Sequence, residues 1–287
     1  MSVLYGVDVS EHNGVIDWEK VKESGKVDFA MIRAGYGQTT VDKQFHKNAV
    51  MCNTLDIPIG IYWFSYATTV DAAAREARAC LETIKDYKIT YPVAFDFEDD
   101  SVRVAKKNGV TISKSLATLM AMSFLSVIKN AGYEAVNYSN PSYLNQYFDS
   151  SVKNNFPLWL AQWPVNPKPE IRPIQSPVIW QYSATGTIPG INSAVDLNVS
   201  YVDYANKEET IVNTPLTKEE ILKTLNFEKQ KSWFENEKDG KTLLELAKEV
   251  GFTDGSNPYD IPSRAEVMTM VYRAYMLGKS EKIDDGK

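Results

Sequence analysis

The sequence predicts an α/β fold, a closed barrel of eight strands with an incomplete outer ring of helices, followed by a small all-α module. Three observations predict it. Through residue 131, apolar strand-like runs alternate with helical patterns, the rhythm that places parallel strands in one sheet. Beyond it, four more strand-like runs follow with little helix between them, which brings the strand count to eight. Acids and aromatics recur where the runs end, as they do when a barrel gathers its chemistry at the C-terminal ends of its strands.

Taken in order, residues 3–10 form a strand that ends in Asp8 and Ser10, and a turn-rich stretch leads to a helix starting near Asp17. Residues 29–35 are a second apolar strand, and 42–53 carry a helical pattern through Phe45, Ala49 and Cys52. The aromatic-rich run 58–67 is the third strand. An Ala-rich helix over 70–86 follows, with Ala73, Ala77, Cys80 and Ile84 on one face. Residues 92–98 are the fourth strand and 113–131 a long helix with Leu116, Met120, Phe124 and Ile128 along its stripe. The runs 134–138, 158–163, 178–183 and 194–199 complete the eight.

The fourth strand carries the sharpest signal. Phe95 and Phe97 alternate with Asp96 and Glu98, so a period of two puts both acids on one face, about 7 Å apart at Cα. Ionising one raises the pKa of the other, leaving a proton donor beside an anion, the division of labour that glycosidic cleavage needs. The strand-end rule adds Asp8, Tyr62, Phe64, Tyr138, Gln162, Trp163, Gln181, Tyr182 and Asp196 to the same mouth. Closure makes the first and eighth strands neighbours, so Asp8 and Asp196 approach one another, and the aromatic and amide groups suit stacking on and hydrogen bonding to sugar rings. Arg33, inside an apolar strand, is expected to be paired with an acid of the barrel interior rather than to touch substrate. Asp99 and Asp100 are read as a solvated loop or a cap, and His12 as a turn residue without assigned chemistry.

Composition excludes several classes. A net charge of −6 over 287 residues argues against nucleic-acid binding. No apolar run approaches the roughly 20 residues of a membrane span. His12 and His46 are too few and too scattered for a metal cage, so neither metal nor other cofactor is expected. Cys52 and Cys80 lie in helical stretches and are read as buried free thiols. The chain opens on a strand without a basic, apolar leader, and the expectation is storage in the cytoplasm.

Six runs carry a resemblance: YGVDVSEHNG at 5–14, IRAGYG at 32–37, AFDFE at 94–98, WLAQW at 159–163, WQY at 180–182 and VDLN at 195–198. In order and spacing they are similar to the glycoside hydrolase family 25 lysozymes of the Chalaropsis type, over residues 3–200. The resemblance implies a flattened, TIM-like barrel of eight strands and about five helices that cleaves the β-1,4 bond after N-acetylmuramic acid in peptidoglycan. It implies Glu98 as general acid, with Asp8, Asp96 and Asp196 as supporting acids. The residues leave open whether the substrate's own N-acetyl group or an aspartate attacks the anomeric carbon.

The barrel is assigned to residues 1–205, a polar linker to 206–216 and a helical module to 217–287. Capping boxes at Thr217–Glu220 and Ser263–Glu266 open two of its helices, and Val267, Met270, Val271 and Ala274 give one of them a core face. Trp233, the GFTDG run at 251–255 and PSRAE at 262–266 resemble one unit of the S-layer homology type, which implies binding to a secondary wall polysaccharide. Such units usually come in threes, so self-association of this single one is expected to supply avidity. The resulting expectation is a phage endolysin, held in the host cytoplasm until release and then acting at the cell wall. A bacterial autolysin and a non-catalytic wall-binding protein are the alternatives.

Overall fold

Closure of the sheet is the feature that positions everything else. The computed structural model describes residues 3–206. In chain order the strands are β1 (Leu4–Val9), β2 (Phe29–Tyr36), β3 (Thr40–Val41), β4 (Ile59–Phe64), β5 (Val93–Asp96), β6 (Ala135–Ser139), β7 (Leu158–Ala161), β8 (Ile179–Gly186) and β9 (Val195–Ser200). From β1 to β8 the barrel strands are parallel, β1 to β2, β2 to β4, and onward neighbour to neighbour. β9 closes the ring antiparallel to both β8 and β1. The two-residue β3 folds back on the end of β2 and stands outside the ring. The barrel therefore has the eight strands expected from the sequence.

The reversal of β9 corrects the reason for one expectation. Asp196 is at the N-terminal end of its strand, and it reaches the mouth because that strand runs backwards. Only residues 187–194 separate β8 from β9, too few for the crossover that a parallel neighbour requires.

The helices are α1 (Trp18–Glu23), α2 (Phe45–Thr54), α3 (Val70–Ile84), α4 (Asp99–Lys107), α5 (Lys114–Asn130), α6 (Pro141–Gln146) and α7 (Ser150–Asn155). Asp17, Thr69 and Ser113 cap α1, α3 and α5 by accepting from backbone N–H groups of the first turn, which is why those helices begin where they do. Three helices go beyond the sequence expectation. α4 opens directly after the acidic strand, so Asp99 and Asp100 lie in its first turn, where the helix dipole favours carboxylates. α6 and α7, six residues each, fill the stretch read as strand and loop; Asn140 with Pro141 and Asp149 are their start signals.

Alternation along the strands separates two apolar layers. The outward layer, including Val7, Val9, Ile32, Ile61, Trp63, Phe95 and Phe97, packs beneath the helices, with Phe95 5.2 Å from Phe124 of α5. The inward layer, Phe29, Met31, Tyr91, Ala94, Val136, Trp159, Ile179 and Tyr204, fills the barrel. Gly6 and Gly60 make room for it: a Cβ at Gly6 would lie 2.5 Å from the Phe29 ring, and one at Gly60 2.5 Å from Met31 Sδ. The mouth is thus floored by packed hydrocarbon. Cys52 and Cys80 are buried free thiols. Among the described residues no helix is long and apolar enough to cross a membrane. The chain divides into Met1–Asn206 and Lys207–Lys287, and the readings made for the linker and helical module fall, from residue 207 on, outside the described residues.

One buried acid belongs to the scaffold. Glu76 of α3 is fully buried, accepting from Ser65 Oγ at 2.5 Å and Tyr66 N–H at 3.0 Å, and so ties the loop after β4 to the helix. Burial pushes its carboxyl up to about 7. The folded protein holds this proton more tightly than the unfolded chain. Its contribution is therefore fully present below the ordinary glutamate value of about 4.3 and is lost as pH rises through about 7, a swing of about 4 kcal/mol. Glu76→Gln cannot ionise but gives up one accepted hydrogen bond, about 1 kcal/mol. In urea titrations the variant is expected to be the less stable protein at pH 5 and to match or exceed the wild type at pH 8; a constant difference across that range would show that Glu76 is already ionised in the fold.

Candidate active site

Four carboxyl groups meet at the mouth. Asp8 is near the end of β1 and Asp196 faces it as its register partner on β9. Asp96 is the last residue of β5; Glu98, still in extended backbone (φ −131°, ψ −169°), is the N-cap of α4. Alternation turns Asp96 inward beside Ala94, and Glu98 follows on the same side while Phe95 and Phe97 point out. The Glu98 N–H donates to Ser101 Oγ at 3.1 Å, which fixes the junction between strand and helix.

Burial shapes their chemistry, for among the described residues no lysine or arginine forms an ion pair with any of the four, Arg33 being engaged by Glu11 and Asp42. Desolvation, then the nearby Glu98, raises the Asp96 carboxyl well above the usual range, and Arg33 only partly offsets this. Glu98, closer to solvent, is also raised, by desolvation and by Asp99, Asp196 and Asp100. The two share a hydrogen bond, with Asp96 the donor because its charge is the harder one to bury. Asp8 and Asp196 form a second such pair: desolvation and the facing Asp196 raise Asp8 well above its ordinary value. Among the described residues no group of three or more His, Cys, Asp or Glu side chains is arranged to hold a metal ion.

Asp8 Oδ2 accepts from Gln181 Nε2 at 2.9 Å and Asn198 Nδ2 at 2.6 Å. Gln181 Oε1 accepts in turn from Tyr138 Oη at 3.2 Å and Trp163 Nε1 at 3.1 Å, and Asn198 Oδ1 from Trp159 Nε1 at 2.8 Å. Tyr62 lines the same wall, its ring edge-on to Trp159 and its hydroxyl 3.4 Å from the Val9 carbonyl. Phe64 is the register partner of Asp96, its ring against Tyr66, which meets Tyr36 edge-on. Trp163 is 58% exposed, a free indole face whose N–H is already held.

Two residues expected at the mouth do not join the acids through their side chains. Gln162 is exposed and contributes its backbone, whose carbonyl accepts from Trp180 Nε1 at 2.8 Å. Tyr182 packs against the outer layer with Trp180, 6.0 Å between ring centroids, because alternation opposite Gln181 and a register shift between Gln181 and Ser183 turn it outward. Asn198 and Trp159 were not among the expected site residues, although both follow from alternation: Asn198 is two residues past Asp196, and Trp159 two before Ala161.

Arg33 is paired as expected, but with loop acids. Its Nε donates to Asp42 Oδ2 at 2.8 Å and an Nη to Glu11 Oε1 at 3.2 Å, while the Glu11 N–H donates to Asp42 at 3.0 Å. The triad ties the turn after β1 to β2 directly beside Tyr62, the register neighbour of Arg33.

The model of the family "Glycosyl hydrolases family 25" matches residues 7–191. Among curated relatives, "Uncharacterized protein YegX" of Escherichia coli O157:H7 is 29% identical over 204 residues, covering 68% of this chain and 69% of its own. "Autolytic lysozyme" of Clostridium acetobutylicum is 28% identical over 197 residues, covering 68% and 55%. Among solved structures, the modular autolysin LytC of Streptococcus pneumoniae, in complex with a synthetic peptidoglycan ligand, superposes with a TM-score of 0.59 at 26% identity, over 69% of this chain. The matched region spans 47% of the LytC chain.

The triad gives a direct test of how the mouth is held. Arg33→Met keeps the stem and leaves Asp42 buried without its cation, which should cost roughly 3–5 kcal/mol in chemical denaturation. A loss under about 1 kcal/mol would mean that Asp42 is held by its backbone donors alone.

Proposed function

Since the chain belongs to glycosyl hydrolases family 25, we propose that it is a muramidase, hydrolysing the β-1,4 bond between N-acetylmuramic acid and N-acetylglucosamine of bacterial peptidoglycan. The observation that carries this reading is the Asp96–Glu98 pair: two hydrogen-bonded carboxyls of unequal burial, both raised, at the open end of the barrel. Relatives named as a lysozyme and an autolysin favour peptidoglycan over other polymers of N-acetylated sugars.

In the reaction we assign to the pair, Glu98 faces the leaving oxygen because it is the less buried acid. It gives up its proton as the bond between C1 and the leaving oxygen breaks. The acetamido carbonyl oxygen of the substrate forms the new bond to C1. Asp96, on the same inward face as Glu98, accepts the acetamido N–H and steadies the positive charge. The Asp96–Glu98 hydrogen bond lets the proton stored on Asp96 pass to Glu98 as substrate covers the site. Water then opens the cyclic intermediate at C1, with Glu98 as base. Trp163 and Phe64 offer ring faces for sugars on either side, with Tyr62 and Tyr138 on the wall between.

For the biological setting the reading is a phage endolysin, held in the host cytoplasm until release. The autolysin and autolytic lysozyme among the relatives favour the second reading, a bacterial autolysin. Transcript confined to the late lytic cycle would select the first, and transcript in uninfected growing cells the second. For residues 217–287 the reading is a module that binds wall polysaccharide and self-associates.

Glu98→Gln keeps the shape and removes the proton, and is expected to slow clearance of a wall suspension by at least about 10²-fold. Mass spectrometry of wild-type products should place the new reducing end on muramic acid; a new reducing end on glucosamine, or near wild-type clearance by the variant, would sink the assignment. A chain ending at Asn206 should still cleave soluble peptidoglycan fragments and lose activity on whole cells. Equal activity of both forms on whole cells would remove the targeting role of the tail.

A further inference from the structure

The two amides on Asp8 each have one end that donates and one that accepts, and what lies behind them decides which end faces the acid. Behind Asn198 is Trp159 Nε1, 2.8 Å from Oδ1; behind Gln181 is Trp163 Nε1, 3.1 Å from Oε1. An indole N–H donates and cannot accept. Each amide must therefore turn its oxygen to its indole and its NH2 group to Asp8. Tyr138 Oη, 3.2 Å from Gln181 Oε1, adds a second donor on that side. Asp8 Oδ2 thus receives two N–H groups, at 2.9 and 2.6 Å, which occupy its lone pairs. A proton on Asp8 has only Oδ1 to occupy, and the carboxyl facing Asp8 across the register is Asp196.

We infer that Trp159 and Trp163, acting through Asn198 and Gln181, fix the proton of Asp8 on Oδ1, so that Asp8 and Asp196 work as one proton-sharing pair with a single negative charge. Trp159 and Asn198 are then positioning residues of the reaction. The kinetic arm of this inference rests on the muramidase reading; the proton inventory does not.

The consequence is a charge count. Two carboxyl pairs, each holding one proton, give the mouth two negative charges rather than four, and keep a proton available to Glu98. The ionisable groups that face Asp8 are Asp196 from β9, Asp96 from β5, Tyr62 from β4 and Tyr138 from β6. Glu98 adjoins Asp96, and Arg33 from β2 is engaged by Glu11 and Asp42. From β7 and β8 the facing groups are the neutral Trp159 and Gln181.

The test is a carboxyl-carbon NMR titration of full-length protein labelled at aspartate, with Asp8→Asn and Asp196→Asn supplying assignments. In the wild type, Asp8 and Asp196 should show the same two well-separated steps. Trp159→Phe keeps the ring against Tyr62 and Tyr138 and deletes the N–H, freeing Asn198 to turn its oxygen on Asp8. Both steps should rise by about one pH unit, and the acid limb of kcat/KM on soluble peptidoglycan should rise with them. Asn198→Leu, which removes the donor itself, should do the same. Single independent steps in the wild type, or unmoved steps in both variants, would overturn the inference. A wild type that titrates as described but leaves peptidoglycan intact would sink the muramidase reading alone.

Discussion

The mouth of this barrel is governed by one constraint: carboxylates enclosed by packed hydrocarbon cannot all be ionised. Four acids converge there, and the cation nearest them, Arg33, is already committed to Asp42 and Glu11. In water such a cluster would carry four charges at neutral pH. Above a floor made of Phe29, Met31, Ala94 and Trp159 the cost of burying charge exceeds that of keeping a proton, and the acids pair instead. The inward glycines, the filled interior and the closure by β9 all serve that environment. A loosely packed interior would admit water and let the pairs dissociate into ordinary acids.

The same constraint explains why the surrounding groups are neutral donors. Gln181 and Asn198 donate to Asp8, and Tyr138 backs Gln181, without bringing charge, so they orient that acid while leaving the carboxyls to set one another's affinity for protons. A lysine at any of these positions would hold one acid as a permanent anion and leave the mouth with fewer protons to give.

Much of this was legible in the sequence because period-two alternation is a strong signal. Phe95, Asp96, Phe97 and Glu98 specify which side each residue faces, and the runs of apolar residues specify the eight strands. Asp17, Thr69 and Ser113 announce their helices through a single side-chain oxygen. What escaped has physical reasons. The direction of a strand leaves no mark in its own residues; the eight-residue connection before β9 was the signal for its reversal. α6 and α7 are too short to show a helical period, so Asn140, Pro141 and Asp149 were their whole signature. Tyr182 was misplaced because it lies where alternation and a register shift together turn it out, whereas the strand-end rule counts positions and not faces. Glu98 carries two instructions at once, completing the strand's inward face and capping the next helix, and only the first is visible as alternation.

The reversed last strand has a consequence beyond the acids. Because β9 runs down as β1 runs up, Leu4 and Ser200 are register partners at the filled end of the barrel, so the chain enters and leaves side by side, away from the mouth. The catalytic unit is therefore a plug-in cassette. Sequence can be joined before its first strand or after its last without passing over the site, and its two natural ends could be linked to each other while new ends are opened elsewhere on the surface.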